Sequence, residues 1–147
     1  MKRIILSAII GLAVAAAAAA EIKWTTNLPK AIEQAKKEKK LVVAHFTGSD
    51  WCGFCIKQEK EVFSQEEFIN YAKDNLVMVM IDFPNKKKLP EDLAKANNEL
   101  KDKYGVRGYP TLVFINGEGK EVGRKIGYGG GGPKAVIAEI EKAMAKK

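Results

Sequence analysis

Hydrophobic and polar positions along this chain follow two rhythms. From Asn27 to Lys40, "NLPKAIEQAKKEKK", Leu28, Ile32 and Ala35 recur three or four apart. That spacing predicts an amphipathic helix, with Asn27 as its cap and Pro29 in its first turn. "LVVAHF", Leu41 to Phe46, is a short apolar run rich in β-branched residues and bounded by "TGSD", which predicts a buried strand. Helical spacing returns from Cys52 to about Val62. It resumes in "SQEEFINYAKDN", where Ser64 and Glu67 have the spacing of a capping box. "LVMVMID", Leu76 to Asp82, predicts a second buried strand, with Met78 and Met80 as core residues. After the polar connection "FPNKKKLP", the stretch "EDLAKANNELKDKYGV" predicts a helix closed by Gly105. "TLVFIN", "GEG" and "KEVGRKIGY" predict a hairpin, and Gly129 to Gly132 with Pro133 precede a final helix, Lys134 to Lys146. The resulting order is helix, strand, helix, helix, strand, helix, strand, strand, helix, an α/β layer architecture.

Residues 1–20 fall outside this pattern. Lys2 and Arg3 precede an uncharged apolar run, Ile4 to Ala20, which ends in Ala18-Ala19-Ala20. A basic head, an apolar stretch and small residues at the end are the parts of a cleaved signal peptide. Export to the periplasm or the medium is therefore expected, with a mature start near Glu21. The alternative is an uncleaved membrane anchor at residues 4–20, although its alanine-rich second half is only weakly apolar. Residues 21–147 have the length of one domain with a real core. The formal charge of the whole chain is +7. Its lysines cluster in "KKEKK" (Lys36 to Lys40) and "KKK" (Lys86 to Lys88), without the interleaved aromatics or motif of a nucleic-acid reader. They read as a solvated helix face and a loop.

The chemistry gathers in "GSDWCGFCIKQEKEVF", residues 48–63, which holds both cysteines, Cys52 and Cys55. Attachment of haem requires histidine after the second cysteine, and Ile56 stands there. Structural zinc needs about four nitrogen or sulfur ligands, whereas the chain offers two cysteines and one histidine, His45. No metal or organic cofactor is expected. A staple closing so small a loop removes little chain entropy. Redox catalysis accounts for more of the surroundings. A strand and turn deliver Cys52 to a helix N-terminus, where unpaired N–H groups and the helix dipole favour a thiolate nucleophile. Cys55, one turn along the same face, is placed to resolve a mixed disulfide.

"DWCGFC" after a buried strand, with "GVRGYPTLVFINGEGK" some fifty residues on, resembles the thioredoxin superfamily, and "RGYPT" is similar to protein disulfide isomerase. The resemblance implies a central mixed β-sheet flanked by helices, a cis bond between Tyr109 and Pro110, and a Tyr109 backbone free to pair with an extended substrate. It implies an exported thiol–disulfide oxidoreductase working on protein or peptide thiols and disulfides. Two thiols store only one electron pair, so a redox partner protein is expected, and with no added dimerisation domain in the sequence a monomer is the default expectation. Trp51, Gly53, Phe54, Tyr109 and Pro110 would then touch substrate. His45 falls where the family usually keeps a buried acid that manages the proton of the resolving cysteine, so it is a candidate to assist Cys55, with a core residue as the plainer alternative. Phe54 replaces the family's proline after Gly53, and members lacking that proline tend to be more oxidising. From a different class, a client-binding module or chaperone with a non-catalytic disulfide would use the same Trp51, Phe54 and Tyr109 surface.

Overall fold

The structure, a computed structural model, describes residues 18–146. The signal-peptide and anchor readings fall almost wholly on residues 1–17, outside the described part. Five strands form one sheet in the order β1-β3-β2-β4-β5. The strands are β1 (Trp24–Thr25), β2 (Leu41–Thr47), β3 (Leu76–Asp82), β4 (Thr111–Ile115) and β5 (Glu121–Ile126). β1, β3 and β2 run parallel, whereas β4 and β5 are antiparallel additions. The helices are α1 (Leu28–Glu38), α2 (Gly53–Gln58), α3 (Glu66–Asn75), α4 (Glu91–Lys103) and α5 (Gly132–Met144).

Every residue of β2 and β4 is buried, because helices cover both faces of the sheet and a strand buried on both sides needs apolar residues throughout. On one face Leu41, Val43, Met78, Leu112 and Phe114 meet Phe63, Phe68, Ala72, Val136 and Ile140, from the helical segments after Cys52 and from α5. On the other, Val42, Ala44, Phe46, Val79, Ile81 and Val113 pack against Leu28, Ala31 and Ala35 of α1 and against Tyr104 and Val106 at the end of α4. The expected mixed α/β sheet is therefore present.

Local chemistry fixes several boundaries. The Asn27 side chain accepts the Lys30 N–H at 3.0 Å, opening α1. Gly105, at φ +60°, ends α4 in the left-handed region where glycine is at ease. Three features depart from the sequence pattern. β1 was not anticipated, being two residues long. The helix begun at Cys52 widens into a π-helical turn at Glu59–Phe63. The capping box does not form either: Ser64 closes the π turn through its N–H to Glu59 O, and α3 starts after Gln65 with no side-chain cap. Met78 is buried as expected, while Met80 is half-buried, one position beyond the β1 ladder.

Candidate active site

β2 ends at Thr47, and the chain turns tightly so that both Trp51 N–H, at 3.3 Å, and Cys52 N–H, at 2.9 Å, donate to Gly48 O. The turn is close-packed: a Cβ at Gly48 would come within 2.5 Å of the Trp51 indole. This delivers Cys52 to the N-cap of α2, where its Sγ accepts the Cys55 N–H at 3.3 Å. Sulfur occupies the capping position that Ser or Asp usually fills, so a negative charge on it meets N–H groups and the positive end of the helix dipole.

Cys52 and Cys55 are joined as a disulfide, with Cα atoms 5.2 Å apart. Their exposure is unequal, 7% for Cys52 and 2% for Cys55. Cys52 Sγ also lies 3.7 Å from Tyr109 O, on the loop that enters β4 through a cis Tyr109–Pro110 peptide. Around this opening Trp51 and Phe54 project outward, 44% and 63% exposed, and among the described residues no atom beyond Gly53's own chain neighbours and helix backbone stands within 4 Å of where its Cβ would be. Lys57 is solvated, 3.9 Å from Glu61.

His45 is buried in β2, paired across the sheet with Met80 and Leu112. It faces the side of the sheet that carries the helix after Cys55, boxed by Trp24 at 5.7 Å and Phe63 at 4.9 Å between ring centroids. Burial holds its pKa down to about 3, against smaller opposing effects from Asp82 and from the nearby Gln58 side chain. Among the described residues, both imidazole nitrogens and both polar atoms of Gln58 lack a hydrogen-bond partner. The structure thus gathers Cys52, Cys55, Trp51, Phe54, Tyr109 and Pro110 around one opening and sets His45 in an aromatic box with Gln58. Gln58 was not singled out in the sequence, although its spacing of three from Cys55 puts it on the same helical face.

A second group missed in the sequence braces the turn. Asp50 accepts the N–H groups of Asn85, Lys86 and Lys87 at 2.9, 2.8 and 3.2 Å, which holds its carboxyl below the usual range. Trp51 Nε1–H donates to Phe83 O at 2.7 Å. The Asp82 carboxylate accepts the Ser49 N–H and hydroxyl at 3.0 and 2.6 Å. The end of β3 is in this way tied to the cysteine turn by Ser49 and Asp82, and the loop after it by Asp50 and Trp51. Among the described residues, no group of three or more His, Cys, Asp or Glu side chains could hold a metal ion.

The disulfide thus lies at a helix N-terminus beside a cis-proline loop, on a mixed sheet. The family model for a thioredoxin-like domain fits residues 28–143. The chain belongs to the thioredoxin superfamily. Among individual relatives it is 40% identical to the disulfide bond reductase DsbH of Chlamydia pneumoniae over 127 residues, covering 86% of this chain and 75% of that one. The solved structure of a DsbH oxidoreductase superposes with a TM-score of 0.79 at 39% identity, covering 88% of each chain. The thioredoxin-related protein DsbJ of the same organism is 28% identical over 108 residues, 74% of this chain but 31% of its own length. This thioredoxin-superfamily chain is a thiol–disulfide oxidoreductase, with Cys52 and Cys55 as its CxxC pair.

Proposed function

We propose that the chain is exported and reduces disulfides in protein substrates, with Cys52 as the nucleophile and Cys55 as the resolving thiol. The observation that carries this reading is the asymmetry of the pair: Cys52 Sγ takes an N–H at the helix start and borders the opening, while Cys55 is sealed behind it. The reducing direction is supported by likeness to a protein named as a disulfide bond reductase.

In the dithiol form the Cys52 thiolate attacks one sulfur of a substrate disulfide. That S–S bond breaks, and the departing substrate sulfur takes a proton. A mixed disulfide between Cys52 and substrate results. Cys55, deprotonated, attacks Cys52 Sγ and expels the second substrate thiolate, which is protonated in turn. Two electrons have passed to the substrate, and the protein is left as the Cys52–Cys55 disulfide. A dithiol partner protein returns the electron pair by the reverse exchange.

Trp51, Gly53, Phe54, Tyr109 and Pro110 form the contact surface in this scheme. The Tyr109 main chain is available to an extended substrate segment, and the bare Gly53 leaves room for a backbone to approach. His45, held neutral with a pKa of about 3 and with both nitrogens unpartnered among the described residues, is too weak a base to take the Cys55 proton, so the expectation that it assists Cys55 gives way to the plainer reading of a core residue.

Reduction of insulin by a dithiol reagent tests the scheme. Wild type should accelerate it, Cys52→Ser should not, and Cys55→Ser should accumulate a mixed disulfide visible as an added substrate mass. Equal acceleration by Cys52→Ser would remove the enzymatic reading in favour of client binding. For export, the N-terminus of the protein recovered outside the cytoplasm should lie near Glu21.

A further inference from the structure

Gln58 is completely buried, and neither its Oε1 nor its Nε2 has a hydrogen-bond partner among the described residues. An amide left in this state is costly, because each buried unpaired donor or acceptor forfeits the bonds it made to water. Its place in the helix points to a partner. α2 holds two buried residues, Cys55 and Gln58. They are three apart and therefore neighbours on one face. Helical side chains lean toward the N-terminus, so the Gln58 amide reaches back over the turn that carries Cys55. Toward the sheet the amide nears the enclosed His45 ring, which burial keeps neutral and which so retains one acceptor nitrogen.

The redox state accounts for the missing partner. In the disulfide, Cys55 Sγ is bonded to Cys52 Sγ and has no hydrogen to give. The pair's sulfur contacts with polar groups fall on Cys52, whose Sγ accepts the Cys55 N–H and lies 3.7 Å from Tyr109 O. Two thiols of a reductant such as glutathione change this. The Cys52–Cys55 bond breaks, a bond between the two reductant sulfurs forms, and the two thiol hydrogens end on Cys52 and Cys55. Two electrons have passed to the protein. Cys55 Sγ–H is now a buried donor, with the Gln58 carbonyl oxygen one helical turn away.

We infer that Gln58 tunes the redox pair: its Oε1 accepts the Cys55 Sγ–H in the dithiol, finds no partner in the disulfide, and thereby favours the dithiol. Gln58 Nε2–H then turns toward the neutral His45 nitrogen, so one amide orientation serves both neighbours. The inference rests on the proposed cycling of Cys52 and Cys55 between disulfide and dithiol, and it adds what sets the balance between them. Without Gln58 the pair would be a stronger reductant and harder for its electron donor to recharge.

Equilibration in glutathione redox buffers tests it, with the oxidised fraction read by alkylation and mass. Gln58→Met keeps the volume and removes the amide. The equilibrium constant for oxidation by glutathione disulfide should rise about tenfold in this variant, which is a potential lower by about 30 mV. Its urea midpoint should fall more in the dithiol form than in the disulfide form, since the wild-type disulfide form leaves the amide unpaired. A residue that merely fills the core would shift both forms alike. A second measurement reads the bond itself. In Cys52→Ala, Cys55 is the one thiol of the chain. Its infrared S–H stretch should lie below that of ethanethiol in an apolar solvent, and adding Gln58→Met should return it to that position.

An unchanged glutathione equilibrium in Gln58→Met, as a buried water held equally in both redox forms would give, overturns the inference. So does an S–H band that is already at the unbonded position in Cys52→Ala, or one that Gln58→Met does not move. The band needs no exchange to be read. Failure of wild type to exchange with glutathione, with the band displaced and then returned by Gln58→Met, would overturn the exchange reading and with it the tuning role, leaving a thiol contact.

Discussion

An imidazole enclosed by Trp24, Phe63 and the central sheet has no water to solvate a positive charge, and this decides how His45 responds to acid. Its pKa falls from the ordinary 6.5 to about 3. The unfolded chain therefore takes up a proton below pH 6.5 that the folded chain refuses until about pH 3. Stability is complete above 6.5 and is lost as the pH falls through that window, by about 1.4 kcal/mol per unit. Glu59, raised by burial, acts in the opposite sense nearer its own range, but it is common to wild type and variant. Urea midpoints at pH 6 and pH 5 should diverge for wild type relative to His45→Leu, and that difference isolates the imidazole. A parallel pH dependence in the two proteins would mean that His45 is charged or solvated when folded. Rates of Cys55 resolution in the same variant separate stability from chemistry: their pH profile should be unchanged, and a changed one would bring His45 into the mechanism.

Among the elements, those that bury both faces or one clean stripe were legible in the sequence. Leu41–Phe46, Leu76–Asp82 and Thr111–Ile115 are apolar runs because helices cover both faces, and α1 shows its stripe, its Asn27 cap and its proline within a dozen residues. The features that escaped are set by partners distant in sequence. β1 exists because Trp24 and Thr25 pair with Met78 and Val79, and two residues carry no period. The cysteine pair was readable from its own spacing, whereas the brace around it joins residues 32 to 37 apart. Asp50 read simply as part of a turn; in the fold it caps the backbone of another loop. Asp50→Ala should free the Asn85, Lys86 and Lys87 amides, seen as faster hydrogen exchange confined to that loop. The carboxyl sits below its usual range, so wild type should show the same loosening only as the pH falls through that lowered value. Uniform exchange rates in wild type and variant at neutral pH would mean that the loop is held by other contacts.

At the scale of the whole molecule, the described chain has a core on the two faces of its sheet and a short segment before α1 that packs on one of them. Among the described residues, both apolar clusters are built from residues at or after Ile22, and no described helix is long and apolar enough to cross a membrane. If the apolar run at 4–20 is a cleaved leader, residues 21–147 should fold as one unit without it. The next six residues are a different matter. Ile22 and Trp24 pack against the larger cluster, and Trp24 closes the box around His45 and Phe63. A chain beginning at Asn27 loses that ring, exposes the buried imidazole to water and uncovers the edge of β3. Truncating a packed aromatic costs about 3 kcal/mol, so denaturant midpoints of the 21–147 and 27–147 proteins should differ by that order. The loss should also be partly pH-dependent, because a hydrated His45 regains an ordinary pKa and contributes no penalty between pH 6 and 5. Equal midpoints would mean that β1 and Trp24 are an ornament on the sheet and that the aromatic box is not what keeps His45 uncharged.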